Sequence, residues 1–423
     1  MNVGKIERVL AKALRAGFLE SGAKDDGPAL AVFYDLDELR TGFREVERVF
    51  PPGTLHTTAL KANRLAAILT EALHSGLGAE CASQGELVHA LRLGFPSSNI
   101  LFDSPAKTRS EIAFALSRGV ILNVDNFQEL ERVSEAIVLA GGAGGARVGV
   151  RINPQVGAGS IAATSTATAT SKFGITLDEN RDALLAAFAR YPWLRGLHVH
   201  VGSQGCAMDL LVRGARRVVD FASELRARGY AVEFLDIGGG LSVDYGETDA
   251  RPAFAEYGAL LREQVPEIFD GSMRIATEFG RALHAKAGWV ASRVEYTKSA
   301  GGRQIAVTHA GADLFVRTAY QPDKWPHRIT VHDAHGALKH GARSAWDVAG
   351  PLCFSGDLIA VGRDLPPIEQ GDFIAVHDAG AYTLSMWSRY NSRLVPAVYG
   401  CEAEELRLLK AAETPEDLIR FWE

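Results

Sequence analysis

Residues 54–61 read TLHTTALK, and from here the chain alternates short apolar or β-branched runs with longer segments of helical periodicity. The alternation continues through LAAILTEALHSG (65–76), AECAS (79–83), GELVHALRLG (85–94) and NILFDS (99–104). About eight such strands can be counted up to MRIATEFGR at 273–281, the number that a (β/α)8 barrel requires. The pattern therefore predicts a TIM-type barrel, with an open doubly wound sheet as the alternative.

Helical periodicity fades after about residue 286, where strand-like runs such as WVASRVEYTK (289–298) and DFIAVHDAG (372–380) are separated by Gly, Pro and Asp turns. AVFYDLDEL at 31–39 reads as a strand followed by a helix, and we expect this N-terminal part to pair with the C-terminal β domain. The predicted organisation is an N-terminal segment (1–50), a barrel (51–285) and a mostly β domain (286–423).

Composition excludes several classes of protein. Of the 423 residues, 47% are hydrophobic and 23% charged, which are ordinary globular values. The net charge of −6 comes from interspersed charges, so nucleic acid is not an expected partner. No apolar run is long enough for a membrane span. The four cysteines lie far apart and predict neither a disulfide framework nor a metal site, which fits a cytoplasmic protein: Cys81, Cys206, Cys353 and Cys401.

Two strand ends carry groups suited to a cofactor. Lys61 ends TLHTTALK, and a lysine amine forms an imine readily when desolvation lowers its pKa. A solvated surface lysine is the simpler alternative. Gly238, Gly239 and Gly240 follow a strand in LDIGGGLSVDY and offer amides that a phosphate can approach closely, although a tight βα turn also explains them.

Two further strand ends add histidines and an ion pair. HVHVGSQG places His198 and His200 on one face of a strand, but no further ligands follow at convincing spacing, so no metal is predicted. ATEFGRALHA places Glu278 three residues before Arg281, either as a surface salt bridge or as groups that bind a cation and a phosphate. The stretch 157–175, GAGSIAATSTATATSKFGI, is either a low-complexity linker or a mobile lid.

In order and spacing these segments resemble the fold-type III pyridoxal-phosphate (PLP) decarboxylases, the diaminopimelate/ornithine decarboxylase family, along nearly the whole chain. ALKAN resembles the family's lysine motif, which implies that Lys61 forms the Schiff base with PLP. GAECASQGEL, VRINP, HVHVGSQ, GGG and EFGR resemble its cofactor-binding segments, although EFGR has Phe279 where the family has proline. The cofactor contacts that the resemblance implies in the barrel are Glu80, Arg151, His200, Ser203, Gly238, Gly239, Gly240, Glu278 and Arg281.

Two C-terminal motifs also resemble the family. GPLCFSGD (350–357) is similar to the segment whose cysteine is given across a dimer interface and helps protonate the substrate carbon, which implies a catalytic Cys353. DAGAYTLSMWSRYNSR (378–393) resembles the region whose tyrosine reaches the phosphate, here Tyr382. The resemblance implies a homodimer with shared sites and decarboxylation of an amino-acid substrate, free or carrier-tethered, through Lys61, His200 and Cys353.

The substrate pocket departs from the family pattern. The residue after the cysteine is acidic in the diaminopimelate and ornithine enzymes, where it holds a distal ammonium group, but here it is Phe354. An apolar ring leaves a buried cation unbalanced, so diaminopimelate, lysine and ornithine are expected to be poor substrates. Arg317, which resembles the arginine for a distal carboxylate, is retained, whereas Gln321 replaces a tyrosine. The predicted substrate-binding residues are Arg281, Arg317, Phe354 and Tyr382.

Three alternatives stay open at this point: a diaminopimelate decarboxylase proper, an amino-acid racemase of the same fold, and a non-catalytic PLP-binding protein. GPLCFSGD and HVHVGSQ favour decarboxylation over racemisation.

Overall fold

The computed structural model describes residues 2–22, 27–246 and 250–423. The chain divides into two compact units. One, here called the β unit, comprises Met1–Thr41, Asp244–Arg251 and His284–Glu423; the other, the barrel unit, comprises Gly42–Val243 and Pro252–Leu283. Met1 and residues 23–26 of the predicted N-terminal segment lie outside the described residues. No helix in the described ranges has the length and apolarity needed to cross a bilayer.

The N-terminal part forms α1 (Val3–Arg15), β1 (Leu30–Asp35) and α2 (Leu36–Val49). Helix α1 begins at Asn2, whose side chain accepts a hydrogen bond from the Gly4 amide and so satisfies one of the free donors of the first turn. Its apolar residues recur at helical spacing and are buried, so the helix packs on the core of the β unit: Ile6, Val9, Leu10 and Ala13.

The barrel strands are β2 (Leu55–Ala59), β3 (Gly78–Cys81), β4 (Ile100–Phe102), β5 (Ile121–Val124), β6 (Arg147–Asn153), β8 (Leu194–His198), β9 (Phe234–Asp236) and β10 (Arg274–Phe279), with a two-residue β7 (Ile175–Thr176) beside β6. The helices between them are α3 (Ala66–His74), α4 (Gln84–Leu93), α5 (Arg109–Arg118), α6 (Phe127–Leu139), α7 (Leu177–Arg190), α8 (Met208–Ala227) and α9 (Phe254–Gln264), followed by α10 (Arg281–His284).

All pairings between these strands are parallel, and β10 pairs with β2 to close the sheet, with Ala276 opposite Leu55. The predicted eight-stranded parallel barrel is therefore confirmed, and the open-sheet alternative is wrong. The ring of Phe234 fills the barrel interior among Leu55, Leu101 and Ile121. Strand β8 has Gly196 at this level because a Cβ there would lie 2.0 Å from the Phe234 ring.

The C-terminal elements are β11 (Gly288–Ala300), β12 (Arg303–Thr308), α11 (Val316–Tyr320), β13 (Ile329–His332), β14 (Ser344–Ala349), β15 (Leu358–Leu365), β16 (Phe373–Val376), β17 (Ala397–Glu402), β18 (Glu405–Lys410) and α12 (Pro415–Trp422). The strands form one nine-stranded sheet with β1, which pairs antiparallel with β11 and parallel with β17. The predicted pairing of the N-terminal segment with the β domain is thus confirmed. Phe33 of β1 stacks on Trp289 of β11 with ring centroids 4.3 Å apart.

Candidate active site

Lys61 follows β2 by two residues at the carboxyl end of the barrel. Its Nζ donates to Oε1 of Glu80 at 2.8 Å. Glu80 lies on β3 and is fully buried, whereas the lysine side chain retains 36% of its exposure. The next helix begins at once because Ser83 accepts from the Glu86 amide, and the Glu86 carboxylate accepts from the Ala82 amide. This double cap fixes the turn that carries Glu80 beside Lys61.

Several buried carboxyl groups lie at the ends of barrel strands in this region, among them Glu80, Asp103, Asp236 and Glu278. Desolvation raises the pKa of Glu80 well above its usual value, more than Lys61 lowers it. Desolvation also acts on Asp103, but Lys61, Glu80 and nearby positive groups outweigh it and lower the pKa. The two pKa values shift in opposite directions because adjacent buried carboxylates repel each other, so the site favours a negative charge on Asp103 over one on Glu80.

Glu278, on β10, faces the two histidines of HVHVGSQG. Its Oε2 lies 3.5 Å from Nε2 of His198 and 3.8 Å from Nδ1 of His200. Desolvation and Asp103 raise the pKa of Glu278, yet His198 and Lys61 lower it more, so the pKa is below its usual value. Among the described residues, neither carboxylate oxygen has a partner within hydrogen-bond geometry. A charged carboxylate buried in this way is suited to opposing a cation.

His200 is held in its neutral form. The Gly239 amide donates to its Nδ1 at 3.2 Å, so that nitrogen carries no proton. Burial and, secondly, the positive charge of Lys61 lower its pKa to about 3. Asp103, His198 and Glu278 have ligand atoms within 4.8 Å of one another, but they belong to this same cluster. The expectation of no metal stays a prediction.

The glycine segment after β9 approaches its neighbours too closely for side chains. A Cβ on Gly239 would lie 2.3 Å from the Glu278 carbonyl oxygen, and one on Gly240 would lie 2.3 Å from the Gly202 oxygen. Gly238 adopts φ +68°, and its amide donates to Oδ1 of Asp236 at 2.9 Å. The segment is therefore a fixed set of backbone groups that a phosphate can approach.

Two polar side chains lie beside this glycine segment in the barrel unit. Nη2 of Arg281, the first residue of α10, lies 3.4 Å from Oγ of Ser203. Both residues follow barrel strands, as the sequence predicts. Together with the Gly240 amide they provide a guanidinium, a hydroxyl and a backbone donor, which is a donor set for a phosphate.

Arg151 lies near the carboxyl end of β6 and is almost completely buried. Its Nη1 lies 3.9 Å from Asp103 Oδ2 and 4.0 Å from Asp125 Oδ1, and its guanidinium stacks on the Phe173 ring at 4.5 Å. The Gly174 amide donates to Asp125, so the SKFGI motif contributes both a ring and a backbone donor to this cluster. The two carboxylates balance the buried arginine charge.

The predicted residues of the β unit form two groups. The amide of exposed Cys353 donates to Oδ1 of Asn391 at 2.7 Å. Phe354 stacks on Tyr320 with ring centroids 5.9 Å apart and meets Tyr390 edge-on at 6.3 Å. In the second group, the guanidinium of Arg317 lies 4.5 Å from the Tyr382 ring centroid and 5.0 Å from that of Trp325. Tyr382 has φ +57°, an uncommon backbone conformation that fixes its side-chain direction.

Sequence reasoning missed Asp103, Asp125 and Asp236, and it left His198 outside the predicted site. Each aspartate ends a barrel strand, in NILFDS, NVDN and LDIGGG, and that position was a usable signal. Asn123 was missed for a different reason: it lies within β5, and only the folded barrel brings its Nδ2 within 3.1 Å of Asp236.

Comparisons with known proteins agree on one family. Residues 36–285 match the family model described as pyridoxal-dependent decarboxylase, pyridoxal binding domain. A diaminopimelate decarboxylase of Bacteroides thetaiotaomicron is 34% identical over 375 residues, which is 87% of this chain and 94% of that protein. One of Helicobacter pylori is 32% identical over 392 residues, 92% of this chain and 94% of its own length. The crystal structure of diaminopimelate decarboxylase from H. pylori complexed with L-lysine matches with a TM-score of 0.83 and 29% identity, covering 94% of this chain and 97% of that one.

Proposed function

This chain belongs to the pyridoxal-dependent decarboxylase family, and on that premise we propose that it removes CO2 from an α-amino acid whose side chain carries no distal ammonium group. It is a PLP-dependent carboxy-lyase that acts on amino acids. The narrower claim about the substrate is carried by Phe354, which stands where a distal ammonium group needs an acid.

The barrel site fits PLP. The glycine segment 238–240 packs too closely against the backbone of Glu278 and Gly202 to carry side chains, and Arg281 and Ser203 beside it supply donors for a phosphate. Glu278 offers an ionised, buried carboxylate for a protonated pyridine nitrogen. The neutral ring of His200 keeps 16% of its side-chain surface exposed, enough for a flat ring to stack against it. Lys61 supplies the amine for the covalent link.

When bound, PLP supplies the electron sink that stabilises the carbanion left by loss of CO2. Glu278 holds the proton on the ring nitrogen by placing a negative charge opposite it in a site of low dielectric constant. Gly239 keeps Nδ1 of His200 unprotonated, so a charged His200 does not compete for Glu278. Lys61 and Cys353 are the proposed proton donors to the substrate carbon.

The aromatic cluster of Tyr320, Phe354 and Tyr390 supports a substrate without a distal cation. A cation over an aromatic face gains about 0.5–2 kcal/mol. An unpaired buried ammonium group costs more than that, about 2–5 kcal/mol. Arg317 is nevertheless retained, and a guanidinium favours a side chain that ends in a carboxylate or a carbonyl group. An anionic, carbonyl-bearing or apolar side chain therefore fits this set better than a cationic one.

Diaminopimelate itself is the second candidate substrate. It is favoured by Arg317 and by the name that the curated relatives carry. We also propose, from the family resemblance, a cytoplasmic homodimer with two composite sites. Each copy gives Cys353 to the site of the other, and Tyr382 reaches the phosphate either from the β domain or from the partner subunit.

The test is CO2 release from a panel of amino acids by the PLP-loaded enzyme. We expect kcat/KM for a neutral or acidic amino acid to exceed that for diaminopimelate, lysine and ornithine by about tenfold or more. Phe354→Asp is expected to reduce this difference in kcat/KM between the two sets of substrates. Phe354→Leu, which adds no charge, is the matched control. Equal efficiency on diaminopimelate and on the best neutral or acidic substrate would refute the proposal.

A further inference from the structure

Residues 157–168 of the small-residue stretch lie along the turn that carries His200 and Ser203. The two segments form a short antiparallel bridge: the Thr166 amide donates to the Val201 oxygen at 2.9 Å, and the Ser203 amide donates to the Thr164 oxygen at 3.0 Å. Both segments belong to the barrel unit. The stretch thus makes backbone contacts of the kind that join strands.

Side chains reinforce the bridge on both sides of Ser203. The Thr166 hydroxyl donates to the His200 carbonyl at 2.5 Å, and the Thr164 hydroxyl donates to the Gln204 carbonyl at 2.6 Å. The Ser160 amide reaches the Gly205 carbonyl at 2.8 Å. Four carbonyl groups of the turn, those of residues 200, 201, 204 and 205, therefore accept hydrogen bonds from one stretch of chain.

The small residues of the stretch have a structural reason. A Cβ on Gly159 would lie 2.4 Å from the Gly205 oxygen, and one on Gly202 would lie 2.8 Å from the Thr164 oxygen. Both obstacles are backbone atoms, which cannot move aside cheaply. Ala167 is fully buried. The small side chains that make this stretch resemble a linker are therefore required by its close packing against the turn at residues 200–206.

The opposite side of the turn is held by the segment after the glycines. Gln204 exchanges two hydrogen bonds with the backbone of Val243, at 2.5 and 2.9 Å. The Gly205 amide donates to Oγ of Ser242, which donates to the Cys206 carbonyl. The turn thus lies between two segments and has few ways to rearrange.

We propose that residues 157–168, here called the brace, are a positioning element that holds His200 and Ser203 in place for PLP. Because the brace occupies the Ser203 amide, the serine presents its hydroxyl to the phosphate beside Arg281. This inference rests on the proposed assignment of His200 and Ser203 to the cofactor.

The experiment compares Thr164→Val, Thr166→Val and the double variant with Thr170→Val, an exposed threonine of the same stretch outside the brace. Dissociation constants for PLP and for pyridoxal, which lacks the phosphate, are measured with each apo-protein, and amide exchange is followed in residues 200–206. Each single variant should weaken PLP binding about two- to tenfold, the effect of one hydrogen bond. Thr164→Val should affect PLP more than pyridoxal, amide exchange should speed up, and Thr170→Val should match the wild type.

Two results would refute the proposal. The first is that PLP affinity and amide exchange are unchanged in the double variant. The second is that the amides of residues 157–168 in the wild type exchange as fast as those of an unfolded chain. Ser203→Ala separates this failure from failure of the cofactor assignment. If Ser203→Ala leaves PLP affinity intact, the assignment is wrong, and the exchange data alone still decide whether the brace exists.

Discussion

Replacing Lys107 by methionine is expected to destabilise the barrel unit by about 3–5 kcal/mol, the cost of removing one partner from a buried ion pair. The Lys107 side chain is fully buried, and its Nζ lies 2.8 Å from Oε1 of Glu129, which is 4% exposed. The same ammonium group donates to the carbonyl oxygens of Ser104 and Asn123. One cation therefore joins the ends of β4 and β5 to the first turn of α6.

The pH dependence of this penalty follows from Glu129. Burial already raises its pKa, and Lys107 is the main opposing influence, so the variant should raise that pKa further. A raised folded-state pKa contributes stability below the unfolded value and loses it as the pH rises through the folded value. The penalty of Lys107→Met should therefore be smallest in acid and grow towards neutral pH.

Urea and thermal unfolding of the apo-protein at several pH values measure this effect. Lys107→Met/Glu129→Gln should recover part of the loss, because it removes the unpaired charge. Arg109→Met is the matched control: its ion pair with Glu135 also ends on α6 and starts two residues away from Lys107, but it is exposed, and the substitution should cost less than about 1 kcal/mol. The reasoning is refuted if Lys107→Met is as mild as Arg109→Met, or if the double variant is no more stable than the single one.

Two further predictions concern the glycine segment and the β unit. Gly239→Ala should lower PLP affinity measured by equilibrium titration, because its Cβ would meet the Glu278 backbone at 2.3 Å, whereas Gly145→Ala, at a site with nothing within 4 Å, should bind PLP normally. Burial raises the pKa of Asp313 to about 6 from 3.8, so its stabilising contribution is present below pH 3.8 and is lost as the pH rises through 6. The free energy of unfolding should therefore be measured from pH 4 to 7 for the wild type and for Asp313→Asn. The variant should become more stable relative to the wild type as the pH rises. A difference in free energy of unfolding that stays constant with pH would contradict this prediction.

Much of the fold could be predicted from local sequence pattern. The switch between short apolar runs and helical periodicity predicted the barrel and placed Lys61, His200 and Glu278 at the ends of its strands. The choice of Glu80 and the predicted cofactor roles of all four residues came from the family resemblance. These residues were accessible because strand ends meet at one edge of a parallel barrel whatever the details of packing. Phe354 was equally readable, since it breaks a short motif of otherwise matching residues.

Contacts between segments that are distant in the sequence could not be predicted from local pattern. Asn123 and Asp236 are 113 residues apart, and their hydrogen bond exists only once β5 and β9 belong to one closed sheet. The stretch 157–168 was interpreted as a linker or a lid because its composition lacks periodicity, whereas its hydrogen bonds to residues 200–206 are long-range.

The sequence by itself determined the architecture and the kind of chemistry, because periodicity and residue type are local properties. Only the tertiary structure decided in which direction the pKa of each buried acid at the site is shifted. Glu80 and Asp103 are both buried acids near Lys61, yet burial raises the pKa of the first while neighbouring charges lower that of the second. That difference depends on the distances between side chains from different strands, which no local pattern contains.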